Sequence, residues 1–433
     1  MDSLLSKIEA KTARVVVIGL GYVGLPLALE IARAGFRCTG LELDAERVRG
    51  LNAGQSYIPD VATSDLAPFV QEQRLHATAD PGVLADADVV IVCVPTPLNK
   101  TRDPDMRFIV AAADEIASYQ HDDMLVILES TTYPGTTSEV LVPKLTASGR
   151  VLGRSIFVAF SPERVDPGND RYKTRNTPKV LGGATAECLR VASSLYSQLI
   201  DELVPVSSTE TAEMVKLLEN TFRAVNIGLA NEMAIMSRKL GVDPFEVIRA
   251  AATKPFGFMP FLPGPGLGGH CIPIDPLYLS WKLRALHGEA RFIELADAVN
   301  SGMPAYVVER TSAALNDQRK PVRGSEILIY GVAYKRNVND YRESPAFAII
   351  DRLEKLGARV AYMDPLIAEV DSAGIKRQSL ELSTDFAQFD AVVIVTDHDA
   401  LDRTRLARQA RLIVDTRDAL RDIPVDRAKV YGL

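Results

Sequence analysis

The chain has 433 residues, of which 47% are hydrophobic and 24% charged, with a formal net charge of −7. Such a composition describes a folded chain of several domains, and the acidic balance argues against a nucleic-acid binder, which carries a basic excess. Cys38, Cys93, Cys188 and Cys271 form no CxxC pair; this argues against a zinc site or a disulfide framework, so no metal is expected and a reducing cytoplasmic setting is.

The opening residues, 1–11, are too polar for a secretory signal, and no apolar run approaches the roughly 20 residues of a membrane span. Arg14–Ile18 reads as a buried strand, followed at once by Gly19-Leu-Gly21-Tyr22-Val23-Gly24 and a helix over Leu25–Ala34 that Gly35 stops. Phe36–Leu43 is the next strand, with Glu42 at its end. This is the pattern of a dinucleotide-binding turn: Gly19 makes the bend, Gly21 admits a pyrophosphate, and Gly24 lets helix and strand pack closely. The helix N-terminus offers N–H groups to the phosphates. Glu42, 18 residues past Gly24, stands where a carboxylate binds the adenosine ribose hydroxyls, favouring NAD over NADP, and Arg47 nearby tempers that preference.

Strands over Ala87–Val94, Met124–Leu128 and Ser155–Phe160 continue the alternation. The first ends in Pro95-Thr96-Pro97 and the second in a stretch carrying Thr132, so Thr96 and Thr132 are candidate cofactor contacts or, equally, helix caps. Asn99–Asp105 is a polar insert, and Glu163 after the third strand is a candidate acid/base or a solvated loop carboxylate. Ser207 and Glu210 have the spacing of a capping box, opening a helix that runs to about Leu240. Lys216, Asn220 and Arg223 share one face of it. An ammonium and an amide one turn apart suit an oxygen that gains negative charge, and a helix this long suits pairing with its own copy. A second helix over Pro244–Ala252 follows.

Pro263 to Pro276 reads Pro-Gly-Pro-Gly-Leu-Gly-Gly-His-Cys-Ile-Pro-Ile-Asp-Pro. The glycines remove side chains where a ligand or another backbone comes close, and the prolines stiffen the path. A shaped loop that presents Cys271, with Asp275 four residues on, suits covalent chemistry; its plain alternative is a structural cysteine. Helices over Glu289–Asn300 and Ala305–Asp317 lead into a second parallel α/β unit, with strands at Ser325–Tyr330, Ala358–Met363, Phe389–Val395 and Arg411–Val414. Its first turn, Gly331-Val-Ala-Tyr-Lys335, lacks the spaced glycines of a dinucleotide turn, so a nucleotide or sugar nucleotide fits it better. Lys335–Pro345 is charged and helix-poor, an anion-contacting loop or a solvated turn.

The glycine turn, Ser161-Pro-Glu163, Lys216-x-x-x-Asn220, Gly266-Leu-Gly-Gly-His-Cys271 and Lys335 through Pro345, in this order, resemble the UDP-glucose and GDP-mannose dehydrogenase family of nucleotide-sugar 6-dehydrogenases across nearly the whole chain. The residues at 96–105 and 254–265 resemble the branch acting on UDP-N-acetylglucosamine, with UDP-N-acetylmannosamine and UDP-glucose as alternatives. The resemblance implies two Rossmann-like, doubly wound parallel-sheet domains of α/β class joined by a central helical region. The implied division is an NAD-binding domain over 1–205, a dimerisation and catalytic region over 206–305, and a UDP-sugar-binding domain over 306–433.

It also implies a four-electron oxidation of the C6 alcohol to a carboxylate with two NAD, feeding surface-polysaccharide synthesis. Cys271 would form a thiohemiacetal and then a thioester, Lys216 and Asn220 would stabilise the oxyanion, and Asp275, Glu163 and Thr132 would handle protons and water. Tyr22 and Val23 fall within the cofactor turn; Arg164, Val165, Arg223, Gly268 and Arg336 would contact the UDP-sugar, and Lys335 and Arg342 would lie where nucleotide sugar and cofactor meet. The family often has Phe-Lys-Pro where this chain has Tyr334-Lys335-Arg336, which leaves the roles of Lys335 and Arg336 open. The rival readings are a two-electron hydroxyacid dehydrogenase, which needs no thiol, and an NAD-sensing binding protein, which needs neither Lys216 nor Cys271.

Overall fold

Short apolar runs, most of them joined by helices with one apolar face, assemble into parallel sheets whose central strands are covered on both faces. The computed structural model describes residues 1–58, 61–99, 102–165, 169, 171–269, 271–372 and 374–433; Lys100 and Thr101 of the polar insert and His270 of the cysteine loop lie outside them. The chain divides into two units, residues 1–219 with 281–288, and residues 220–280 with 289–433. The division cuts two helices, Thr209–Lys239 after Glu219 and Asp275–Ala285 after Ser280. Among the described residues no helix is long and apolar enough to cross a membrane.

The first unit carries β1 (Arg14–Ile18), β2 (Arg37–Leu41), β3 (Leu75–Thr78), β4 (Val89–Val92), β5 (Met124–Leu128), β6 (Ile156–Phe160), β7 (Lys179–Gly183) and β8 (Leu203–Val206). They lie in the order β3-β2-β1-β4-β5-β6-β7-β8. Every neighbouring pair is parallel except β6 and β7, which run antiparallel with Ala159 opposite Gly183 and Phe160 opposite Gly182. Alternate strand residues feed two cores. Val15, Val17, Ile91, Leu125 and Ile127 join one, and Val16, Ile18, Val90, Val126 and Leu128 join the other, so the sheet is wound on both faces. Three of these strands escape the sequence pattern: β3 is short and mixed in polarity, β7 opens with a lysine and closes with two glycines, and β8 contains a proline.

The second unit carries β9 (Glu326–Tyr330), β10 (Arg359–Met363), a hairpin of β11 (Glu369–Ser372) and β12 (Ile375–Gln378), then β13 (Ala391–Ile394), β14 (Ile413–Asp415) and β15 (Val430–Gly432). Its parallel sheet has the order β10-β9-β13-β14-β15 and also packs a core on each face. The hairpin and β15 are additions to the sequence expectation.

Two helical expectations need correction. The long helix is Thr209–Lys239, and its start is capped by Ser208, whose hydroxyl accepts from the Thr211 N–H at 3.1 Å, rather than by a Ser207–Glu210 box. The helices expected over Glu289–Asn300 and Ala305–Asp317 are one, Arg291–Asp317, running through Pro304. Proline removes one N–H from a helix interior. Here the Asn300 carbonyl it leaves behind faces Gly266 of the cysteine loop, where a Cβ would lie 3.3 Å from that oxygen.

Gly331, at the end of β9, shows how tightly the second sheet's first turn is built. Its φ is +81°, and an added Cβ would sit 2.2 Å from the Thr396 carbonyl oxygen. Left-handed backbone and a backbone clash together give Gly331→Ala an expected loss of at least about 2 kcal/mol, read as a lower midpoint in urea unfolding.

Candidate active site

The dinucleotide turn forms where β1 meets the helix Gly24–Ala34. Gly19 has φ +87°, and a Cβ there would meet the Cys93 carbonyl oxygen at 2.7 Å. A Cβ on Gly24 would fall 1.9 Å from the Gly19 carbonyl oxygen, so helix and turn come this close only because residue 24 is a glycine. Gly21 is different: nothing lies within 4 Å of its added Cβ, and the helix N-terminus has no side-chain cap. An open backbone at an uncapped helix start fits a pyrophosphate.

Glu42 follows β2 and is buried; it accepts from Leu20 N–H at 3.1 Å and Asp44 N–H at 3.1 Å, leaving carboxylate lone pairs for a ribose. Arg47 is exposed, 3.7 Å from Glu42, and stacks over the Tyr57 ring. Tyr22, Val23 and Thr96 are half-buried along the same carboxyl edge. The residues present therefore suit NAD.

Further along that edge, Glu163 follows β6. One carboxylate oxygen accepts from the N–H groups of Arg164 at 2.7 Å and Val165 at 2.6 Å, and the other lies 3.9 Å from the Lys179 ammonium. Lys216, on the long helix, donates to the Glu163 backbone carbonyl at 2.5 Å. Arg164 donates to the Pro178 carbonyl and pairs with Glu219 at 2.7 Å. The first unit thus brings Glu163, Arg164, Val165 and Lys216 together.

Thr132 is held apart from solvent at 1% exposure, and its hydroxyl bonds that of Thr136 at 2.5 Å. Its loop is anchored by a residue the sequence did not single out. Glu213 on the long helix is fully buried and accepts from Gly135 N–H at 2.6 Å, Thr137 N–H at 2.9 Å and the Thr137 hydroxyl at 2.7 Å. Burial lifts its carboxyl to about 7 against the lowering pull of these three donors.

In the second unit, the Cys271 carbonyl accepts from Ile274 N–H at 3.0 Å and Asp275 N–H at 2.8 Å. That turn sets the half-exposed thiol one turn ahead of the helix Asp275–Ala285, so Asp275 and Pro276 belong to a helix rather than to the loop. Asp275 is 3% exposed and accepts from the Asn220 amide at 2.5 Å. The loop is tied to the long helix by amides: Gly264 N–H donates to Asn231, whose own amide donates to Asn300, and Asn300 donates to the Ala224 carbonyl.

The loop glycines meet protein. Gly264 lies against Arg417, and Gly268 and Gly269 lie against Tyr334, with Gly269 N–H bonded to the Arg342 carbonyl at 3.1 Å. The charged segment after β9 is accordingly packed on the loop. Arg336 pairs with Asp397 at 3.2 Å and with Asp399, while Arg342 chelates Asp340. Lys335 is half-buried, and Arg223 is exposed on the long helix.

Fold and turn together define a class, an α/β chain whose first unit is shaped for a dinucleotide and whose second carries a half-exposed cysteine. Comparison gives the family. The models of the UDP-glucose/GDP-mannose dehydrogenase family match as the NAD binding domain over residues 13–200, the central domain over 210–302 and the UDP binding domain over 328–422. The chain belongs to that family and is an NAD-dependent nucleotide-sugar dehydrogenase. It is 36% identical over 364 residues to a UDP-N-acetyl-D-glucosamine 6-dehydrogenase of Pseudomonas aeruginosa, covering 84% of this chain and 85% of that one. It is 34% identical to a UDP-N-acetyl-D-mannosamine dehydrogenase of Salmonella typhi, covering 94% and 98%. Among solved structures, a UDP-D-ManNAc dehydrogenase of Pyrococcus horikoshii superposes with a TM-score of 0.88 at 31% identity, covering 97% of this chain and 98% of that one.

Glu213→Ala strands two buried backbone donors on the loop that carries Thr132. The expected cost is about 3 kcal/mol, seen as a lower thermal midpoint together with faster proteolysis of residues 132–141.

Proposed function

We propose that this chain oxidises the C6 alcohol of UDP-N-acetylglucosamine to the carboxylate through a covalent intermediate on Cys271, with UDP-N-acetylmannosamine and then UDP-glucose as the alternative substrates. The observation that carries the reading is the state of the four thiols. Cys38, Cys93 and Cys188 are buried, and burial pushes the thiols of Cys38 and Cys93 upward, away from thiolate. Cys271 is half-exposed, with Asp275 and Asn220 bonded to each other one helical turn on.

NAD, when bound, accepts a hydride from C6 in each of the two oxidations. The chain supplies the rest. The Cys271 thiolate adds to the aldehyde carbon, and the carbonyl oxygen becomes an alkoxide that Lys216 and Asn220 stabilise before it takes a proton. Oxidation at that carbon leaves a thioester. Water then attacks with its proton passing to Glu163; the carbon–sulfur bond breaks, the thiolate returns, and the carboxylate leaves. Asp275, bonded to Asn220, shares the handling of protons and the placing of water with Glu163, and Thr132 helps. Arg164, Val165, Arg223, Gly268, Lys335, Arg336 and Arg342 bind the nucleotide sugar and its border with the cofactor.

The acetamido-sugar reading is supported by relatives named for UDP-N-acetylglucosamine and UDP-N-acetylmannosamine. The division into 1–205, 206–305 and 306–433 is supported by the bounds of the three family matches. Pairing of the long helix with a second copy is supported by its exposed Met214, Leu218, Phe222, Leu229 and Met236, spaced by four and seven along one stripe.

Purified protein with NAD should release two NADH per UDP-sugar; one would favour a hydroxyacid dehydrogenase, and none a sensor. Across a panel of UDP-N-acetylglucosamine, UDP-N-acetylmannosamine, UDP-N-acetylgalactosamine and UDP-glucose, the first should give the highest kcat/KM. Cys271→Ala should lower acid formation by at least about a thousandfold, and full turnover would sink the covalent route. Leu229→Glu should shift the sedimenting species from dimer to monomer; a wild-type chain that sediments as a monomer would reject the pairing.

A further inference from the structure

A buried charge cluster stands at the carboxyl edge of the first sheet, beneath Glu163. Lys179 is 5% exposed and its ammonium lies 3.0 Å from Glu129, which is 1% exposed. Glu129's other oxygen accepts from the hydroxyl of Tyr196, itself fully buried, and the ammonium sits 5.2 Å from the centre of that ring. The same ammonium is 3.9 Å from the oxygen of Glu163 that its backbone bonds leave open.

The antiparallel pairing creates this meeting. In a wholly parallel sheet the first residue of a strand lies at the edge away from ligands. Because β7 is reversed, with Ala159 opposite Gly183 and Phe160 opposite Gly182, its first residue, Lys179, lies at the edge where the chain leaves β6 toward Glu163. A buried ion pair is a poor device for stability alone, since two hydrophobic residues do as well. Glu129 and Lys179 already satisfy one another's charge. What Lys179 adds is a cation between two carboxylates that, left facing each other, would favour protonation of one.

We propose that Lys179 is a positioning residue that holds the Glu163 carboxylate oriented and anionic for water activation, with Glu129 and Tyr196 as its buried support. The proposal rests on the role given to Glu163 above. Burial opposes the charge on Lys179, but Glu129 and Glu163 overcome it and raise its pKa, so the cation persists. Among the described residues, the other ionisable groups around Glu163 include the buried Cys93 thiol after β4, Lys216 on its backbone carbonyl, and Arg164 paired with Glu219.

The test is the acid limb of the pH profile for sugar-acid formation, with thermal midpoint and NAD binding measured alongside. Glu129→Gln removes a repelling charge and should move the limb to lower pH. Adding Lys179→Met to that variant leaves no stranded charge in the core and should move the limb up by about one pH unit or more relative to Glu129→Gln. A purely structural cluster would change the midpoint and leave the limb unmoved in both variants, which would overturn the proposal. Glu163→Gln separates the two ideas. A limb that survives it removes Glu163 from the reaction. A limb that vanishes there yet stands still in the Lys179 and Glu129 variants overturns only the positioning role.

Discussion

The structure depends on one constraint of parallel sheets: carboxyl ends of strands gather on one edge, and whatever leaves those ends must be chemically useful or be paired. In the first unit the glycine turn leaves β1, Glu42 leaves β2, Thr96 follows β4, Glu129 and Thr132 follow β5, and Glu163 follows β6. Most of these are acids or hydroxyls. An edge so acidic needs a cation, and the reversed β7 delivers Lys179 to it. The long helix adds a second, Lys216, on the Glu163 carbonyl.

The second unit solves a different problem, fixing a thiol on a segment with no regular structure. It does so by contact rather than by ladder bonds. Buried amides of Asn231 and Asn300 hold the start of the loop, Tyr334 and the Arg342 carbonyl hold its middle, and the first turn of the helix Asp275–Ala285 holds its end. Each glycine there is small because protein, not only ligand, fills the space beside it.

Much of this was legible in sequence because local pattern determined it. The turn from Gly19 to Gly24, Glu42 at a strand end, the helix carrying Lys216 and Asn220, and the irregular loop before Cys271 all follow from residue type and spacing. What escaped was set by distant pairing. No local pattern singles out Lys179; its place follows only from β7 running antiparallel to β6. Glu213 reads as a helix-surface acid until the loop at 135–137 is seen to donate to it. The break expected near Gly302 and Pro304 is absent because that helix packs into the core of the second sheet through Met303, Val307 and Val308, and tertiary burial outweighs the local penalty.

Three thiols buried in the interior and one half-exposed also give the molecule a single accessible thiol. Among the four cysteines, an electrophile or peroxide meeting the folded chain reaches Cys271 before the others, and a sulfenic acid formed there is one that a thiol reductant can still reverse. The folded core thereby acts as a selectivity filter for reagents that never enter the nucleotide sites.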